Sequence, residues 1–189
     1  MKHLSIIKTF VFILAYSSFA IADHHSSSEH GSKIKYVSYN QIGNPAEVLE
    51  VKTEASRELK SGEVRVKVLA APINPSDVLQ IAGMYGVDAV LPARPGSEGV
   101  GRVTEITPEV NSLKVGQLVL LASGSTWAEE LVGPSAGFLP LPNLGPIGAD
   151  VIEQLAMSAV NPLTALLMLT SFTDIEEGQW IAQSAANSA

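Results

Sequence analysis

Apolar and polar residues alternate most clearly in the stretch GEVRVKVLAAPI. Val64, Val66 and Val68 fall on one side, and Arg65 and Lys67 on the other. A period of two predicts a half-buried strand whose basic residues face away from the core. Pro72 and Pro75 end it. Upstream, KYVSYN and AEVLEVK read as two short strands joined by a turn at Gly43, Asn44 and Pro45. Downstream, Ser76 and Asp77 are placed to cap a short helix over 77–82. VDAVLPARPGSEG reads as loop, and GVGRVTEI as a strand whose glycines sit where backbones pack closely. NSLKVGQLVLLAS reads as a turn and a strand, followed by short strands in TWAEELVGP and GFLPLP. Many short strands with Gly and Pro turns predict a compact, barrel-like β domain.

The pattern changes near residue 150. Residues 152–157 and 162–172 read as helices, with Asn161 as N-cap of the second and Pro162 at its first position. QWIAQSA then reads as an apolar strand over 180–185 that opens an α/β unit, with an edge strand of the β domain as the alternative. The strand runs into ANSA, where a dinucleotide-binding fold begins its phosphate turn. The glycines and the helix of that turn are not in the 189 residues, so they read as a fragment of a longer fold.

Composition narrows the function. Apolar residues make up 46% of the chain and charged residues 16%, a globular balance. A net charge of −7 argues against a nucleic-acid surface, which needs clustered Lys and Arg. The absence of cysteine removes disulfides, thiol nucleophiles and Cys-ligated zinc together. Residues 1–22 carry Lys2 and Lys8, an apolar run and a small-x-small end at Ala20 and Ala22, which reads as a cleaved secretory signal, with a retained anchor helix as the alternative. Export to the periplasm or medium follows as the expectation, with no stable membrane insertion after cleavage. Residues 23–33 read as a flexible linker. Its His24, His25 and His30 read as solvated rather than metal-binding.

The segments APINPSDVLQIAGMYG, LPARPGSEGVGRVTEI, VGQLVLL, TWAEELV, AVNPLTALLML and GQWIAQSAANSA, in this order, carry a resemblance. The chain resembles the front half of the medium-chain dehydrogenase/reductases, and within them the zinc-free, mitochondrial-type trans-2-enoyl-CoA/acyl-carrier-protein reductases. The resemblance implies a mixed β and α/β fold. A GroES-like β-barrel domain over 34–150 would be followed by the beginning of a truncated Rossmann domain over 151–189. It implies NADPH as cofactor, an acyl thioester as substrate in fatty acid synthesis, and a homodimer of the full-length form. Where the family's zinc branch has its cysteine and histidine ligands, this chain has Asn74 and Ser97, and a lone Glu98 cannot hold zinc, so no metal is expected.

Reduction of an enoyl thioester places a hydride on the β carbon and a proton on the α carbon. The resemblance implies that Tyr85, in GMYG, donates the proton. Read from the residues alone, Tyr85 either packs a loop or gives up a proton. Trp127 matches a tryptophan near the family's active site and reads equally as a packed strand aromatic. Asn161 matches a cofactor-facing position as well as an N-cap. Asn187, Ser188 and Ala189 match the start of the family's phosphate loop. A zinc-free quinone oxidoreductase and an exported, non-catalytic GroES-like domain are the alternative readings. The acidic chain offers no nucleic-acid partner.

Overall fold

The computed structural model describes residues 31–184. The expected signal over 1–22 lies outside them, as does most of the expected linker over 23–33. Strand β1 (Lys33–Ser38) pairs antiparallel with β2 (Glu50–Ala55). Five strands, β3 (Glu63–Ala70), β4 (Gly99–Ile106), β5 (Leu118–Leu121), β6 (Glu130–Pro134) and β7 (Phe138–Pro140), form an antiparallel sheet in the order β6-β3-β4-β5-β7. Backbone bonds join β1 to the segment that leads into β6: Val37 N–H to Trp127 O and Glu129 N–H to Lys35 O, both at 2.9 Å. The expected β domain of short strands is borne out.

Val64 and Val66 are fully buried, in a core with Val103, Val119, Leu121 and Phe138. Burying each such side chain stabilises the domain by roughly 1.5–3 kcal/mol. Gly101 lets β4 approach β3, because a Cβ there would lie 2.4 Å from Val66 Cγ1 and 2.9 Å from Lys67 O.

Two expectations for this half are corrected. AEVLEVK does not begin as strand: Pro45–Val48 form a short helix, α1, because Asn44 Oδ1 accepts the Ala46 N–H at 3.2 Å and Pro45 starts the turn. Arg65 does not face solvent. It is 8% exposed, and its guanidinium is taken up by Glu105 at 2.8 Å, Arg57 O at 2.6 Å, Glu130 and Ser56. Alternation predicts sides of a sheet, but neighbouring strands of the same sheet can close over a polar side chain when they place carboxylates beside it.

Glu63 opens β3 in a bidentate pair with Arg57, at 2.6 and 2.8 Å, and accepts the Lys60 N–H. The Arg57 hydrogen bonds, then the Lys60 N–H, pull its carboxyl from the ordinary 4.5 down to about 2. A depressed carboxyl adds stability above its unfolded pKa and loses it as pH falls through the folded value. We therefore expect Glu63→Gln to flatten the fall in urea midpoint between pH 4.5 and 2. An unchanged slope in that window would remove Glu63 from the acid response.

Past the sheet, α3 (Ala149–Ala156) packs on β3, β4 and β5 and is followed by α4 (Val160–Thr170). Both helices were expected, with slightly different bounds. Asn161 is not the N-cap of α4: Ala159 is, and Asn161 and Pro162 lie inside the first turn. Pro162 is tolerated there because N–H groups of the first turn have no intrahelical acceptor. The expected strand over 180–185 is not formed in residues 180–184, and Trp180 is 98% exposed. A strand is defined by ladder bonds to a neighbour, and no described strand lies beside this segment.

Candidate active site

The candidate site grows from the turn INPSD. Pro72 and Pro75 hold the chain extended ahead of α2 (Pro75–Ile81), whose N-cap is Asn74, not the expected Ser76 or Asp77. Asp77 instead reaches back from the first turn: its Oδ2 accepts the Asn74 N–H at 2.9 Å, and its other oxygen accepts the Ser97 hydroxyl. Asp77 is 3% exposed, so both oxygens are spent on fixing the start of the helix.

The far end of α2 leads to Tyr85. Gly83 turns the chain with φ +71°, and Met84 N–H closes the helix on Leu79 O at 2.8 Å. Tyr85 follows at once and is 46% exposed. Around it, Met84, Val87 and Val90 also stand exposed, so the phenol sits in an apolar loop open to an incoming ligand.

Trp127 is anchored from two sides. Its indole N–H donates to Pro72 O at 3.0 Å, and its backbone N–H to Pro95 O at 3.2 Å. Its ring packs against the buried cluster of Tyr39, Val48 and Ile81, the last from α2. Burial pushes the Tyr39 phenol up, which keeps that hydroxyl protonated and inert. Trp127 also lines an open groove of about 480 Å³ with Tyr36, Val51, Val68, Ala71 and Ile73. The packed-aromatic reading holds, and the same side chain also lines this groove.

Glu98 is the group whose role the sequence does not reveal. It is wholly buried. Its Oε1 accepts from Asn74 Nδ2 at 3.0 Å, and its Oε2 from the N–H groups of Ala159 at 3.1 Å and Val160 at 2.7 Å. The available signal was an acid between two glycines, in GSEG, at a position where a solvated loop needs none. Thr126 fixes the same turn, donating from its hydroxyl to Glu98 O at 2.7 Å and from its N–H to Gly96 O at 3.3 Å.

These bonds tie the segments of Trp127 and Asn161 to the start of α2. Tyr85 lies beyond the other end of that helix, and no hydrogen bond among the described residues links it directly to Trp127 or Asn161. Asn161 is exposed on the first turn of α4. Asn187, Ser188 and Ala189 lie outside the described residues. Among the described residues, no three His, Cys, Asp or Glu side chains are grouped to hold a metal ion.

Residues 60–143 match the family described as Alcohol dehydrogenase GroES-like domain. The human mitochondrial enoyl-[acyl-carrier-protein] reductase is 36% identical over 169 residues, covering 88% of this chain and 44% of that protein. The complex of Etr1p with NADP and crotonyl-CoA superposes with a TM-score of 0.67 at 31% identity, over 78% of this chain and 46% of that one. A putative NADPH:quinone reductase from Bacillus thuringiensis superposes with a TM-score of 0.65 at 34% identity, over 75% and 41%. The chain thus spans less than half the length of these relatives. The expectation of export is overturned here, because the curated relatives are mitochondrial enoyl reductases rather than exported proteins. An apolar N-terminal run after lysines does not by itself separate a secretory signal from other N-terminal sequences.

Proposed function

We propose that this chain, which over residues 60–143 matches the alcohol dehydrogenase GroES-like domain, is the front part of an NADPH-dependent reductase acting on the C2=C3 double bond of trans-2-enoyl thioesters. The observation that carries the reading is Tyr85. It stands exposed in an apolar loop at the end of a helix whose other end is bonded to the Trp127 and Asn161 segments. In this reading residues 34–150 are the catalytic domain, residues 151–189 begin the Rossmann domain, and the complete protein is a homodimer.

The described residues fit one end of the cofactor. Asn161 is exposed and is the candidate to meet the nicotinamide, whereas the first backbone N–H groups of α4 are taken by Glu98 and are not offered to a phosphate. The phosphates fall to the segment of Asn187, Ser188 and Ala189. Bound NADPH supplies the hydride received by the β carbon. The chain's own residues do the rest. Tyr85 Oη donates its proton to the α carbon as the enolate collapses. The enolate carbon is a strong enough base to take a proton from a phenol placed over it. Trp127 forms an apolar wall of the groove and is the candidate to hold the acyl part of the substrate.

The quinone reductase reading has one specific support, the 34% identity to the Bacillus thuringiensis protein. A quinone is reduced at its carbonyl oxygens and needs no proton donor over carbon. NADPH oxidation by the complete protein, followed with crotonyl-CoA and with a benzoquinone, decides between them. The enoyl reading expects kcat/KM for the thioester to exceed that for the quinone by about 10²-fold or more, the scale of one positioned acid. The reverse order would replace it.

A further inference from the structure

A fully buried carboxylate is costly unless donors or charges meet it. Glu98 has three donors on its two oxygens and, among the described residues, no Lys, Arg or His in an ion pair with it. The helix N-terminus of α4 supplies the complementary partial charge. Capping α4 alone would need only one acceptor, such as a Ser or Asn oxygen. A second oxygen, turned toward Asn74, makes Glu98 a bridge between two segments far apart in the chain. Its own backbone is held by Thr126, the neighbour of Trp127.

We propose that Glu98 is a positioning residue that couples the Tyr85-bearing α2 segment to the Asn161-bearing start of α4, so that proton donor and cofactor end keep a fixed relation. It touches neither substrate nor cofactor. The coupling runs from Glu98 through Asn74 into α2, and through Ala159 and Val160 into α4. The consequence for catalysis rests on the function proposed above. The mechanical coupling does not.

The test uses the complete protein with three variants, Asn74→Ala, Glu98→Ala and Glu98→Gln. It reads amide hydrogen exchange together with steady-state kinetics. Asn74→Ala leaves the α4 cap bonds in place. It should nevertheless speed exchange of the Ala82, Gly83 and Met84 amides by about 10-fold or more, the scale of one hydrogen bond to a charged group. Glu98→Ala should loosen both α2 and α4 and lower kcat with the thioester by about 10-fold, while KM moves less than about two-fold. Glu98→Gln should restore kcat to within about three-fold. Its carbonyl can serve Val160 while its amide faces Asn74, whose carboxamide turns over to accept. A structural cap alone would loosen α4 only and leave kcat unmoved in the folded protein, and that result overturns the proposal. Unchanged exchange over Ala82–Met84 in Asn74→Ala overturns it too, even if Glu98→Ala does not fold. If the parent protein fails to reduce any enoyl thioester, the proposed function falls, and the exchange data alone decide the coupling.

Discussion

Replacing Tyr85 with phenylalanine in the complete protein is expected to lower turnover of a trans-2-enoyl thioester by about 10²–10⁴-fold, the range of a positioned general acid. The change removes one hydroxyl from a side chain that is 46% exposed. The urea midpoint should therefore stay where it is, since exposed polar atoms contribute little to stability. NADPH affinity should stay within about two-fold, because the phenol acts on the substrate side and its loss removes a transition-state interaction rather than ground-state binding. The two measurements together are diagnostic. Equal turnover of variant and parent would leave Tyr85 as a loop residue and return the proton to solvent. A parallel collapse of stability and turnover would make it a packing residue, against its exposure.

The second large effect lies at Gly96. Its backbone has φ +98°, and a Cβ there would sit 2.4 Å from Thr126 Oγ1, 2.5 Å from Trp127 Cδ1 and 2.9 Å from Trp127 N. Gly96→Ala combines a strained backbone with overpacking and should destabilise the domain by about 3 kcal/mol, read from the urea midpoint. The overlap is with Trp127 and with the hydroxyl that fixes the Glu98 turn, so activity should fall beyond what the loss of folded protein explains. Gly62→Ala is the matched control. Gly62 also has positive φ, +79°, but nothing lies within 4 Å of an added Cβ. It should lose only the backbone term, about 1 kcal/mol, with turnover unchanged. Equal costs at the two positions would mean that the crowding around Trp127 relaxes freely.

Much of the fold was legible from local pattern. The alternation in GEVRVKVL marks β3, and the glycines in GVGRVTEI mark the close approach of β4 to β3. Where prediction missed, a contact distant in sequence had most often decided the matter. Arg65 reads as an outward base until Glu105 and Glu130 arrive from β4 and β6 to enclose it. Asn161 reads as an N-cap until Glu98, remote in the chain, takes over the capping bonds. AEVLEVK is the exception. It reads as strand until Asn44 caps its first residues into a helical turn, a local signal that the apolar pattern masked.

The candidate site divides in the same way. The family resemblance carried by the order of the motifs singled out Tyr85, Trp127 and Asn161, and the absence of cysteine excluded cysteine-ligated zinc. Local pattern fixed the class of fold, because periodicity and turn residues act within a few residues of each other. Only the tertiary structure decided that Glu98, in sequence no more than a residue unable to hold zinc alone, is a buried bridge, and that the Trp127 indole bonds to Pro72 O. Burial and long-range hydrogen bonds depend on which segments meet in space. No local pattern encodes that meeting, and it is what gives a lone carboxylate or a glycine its work.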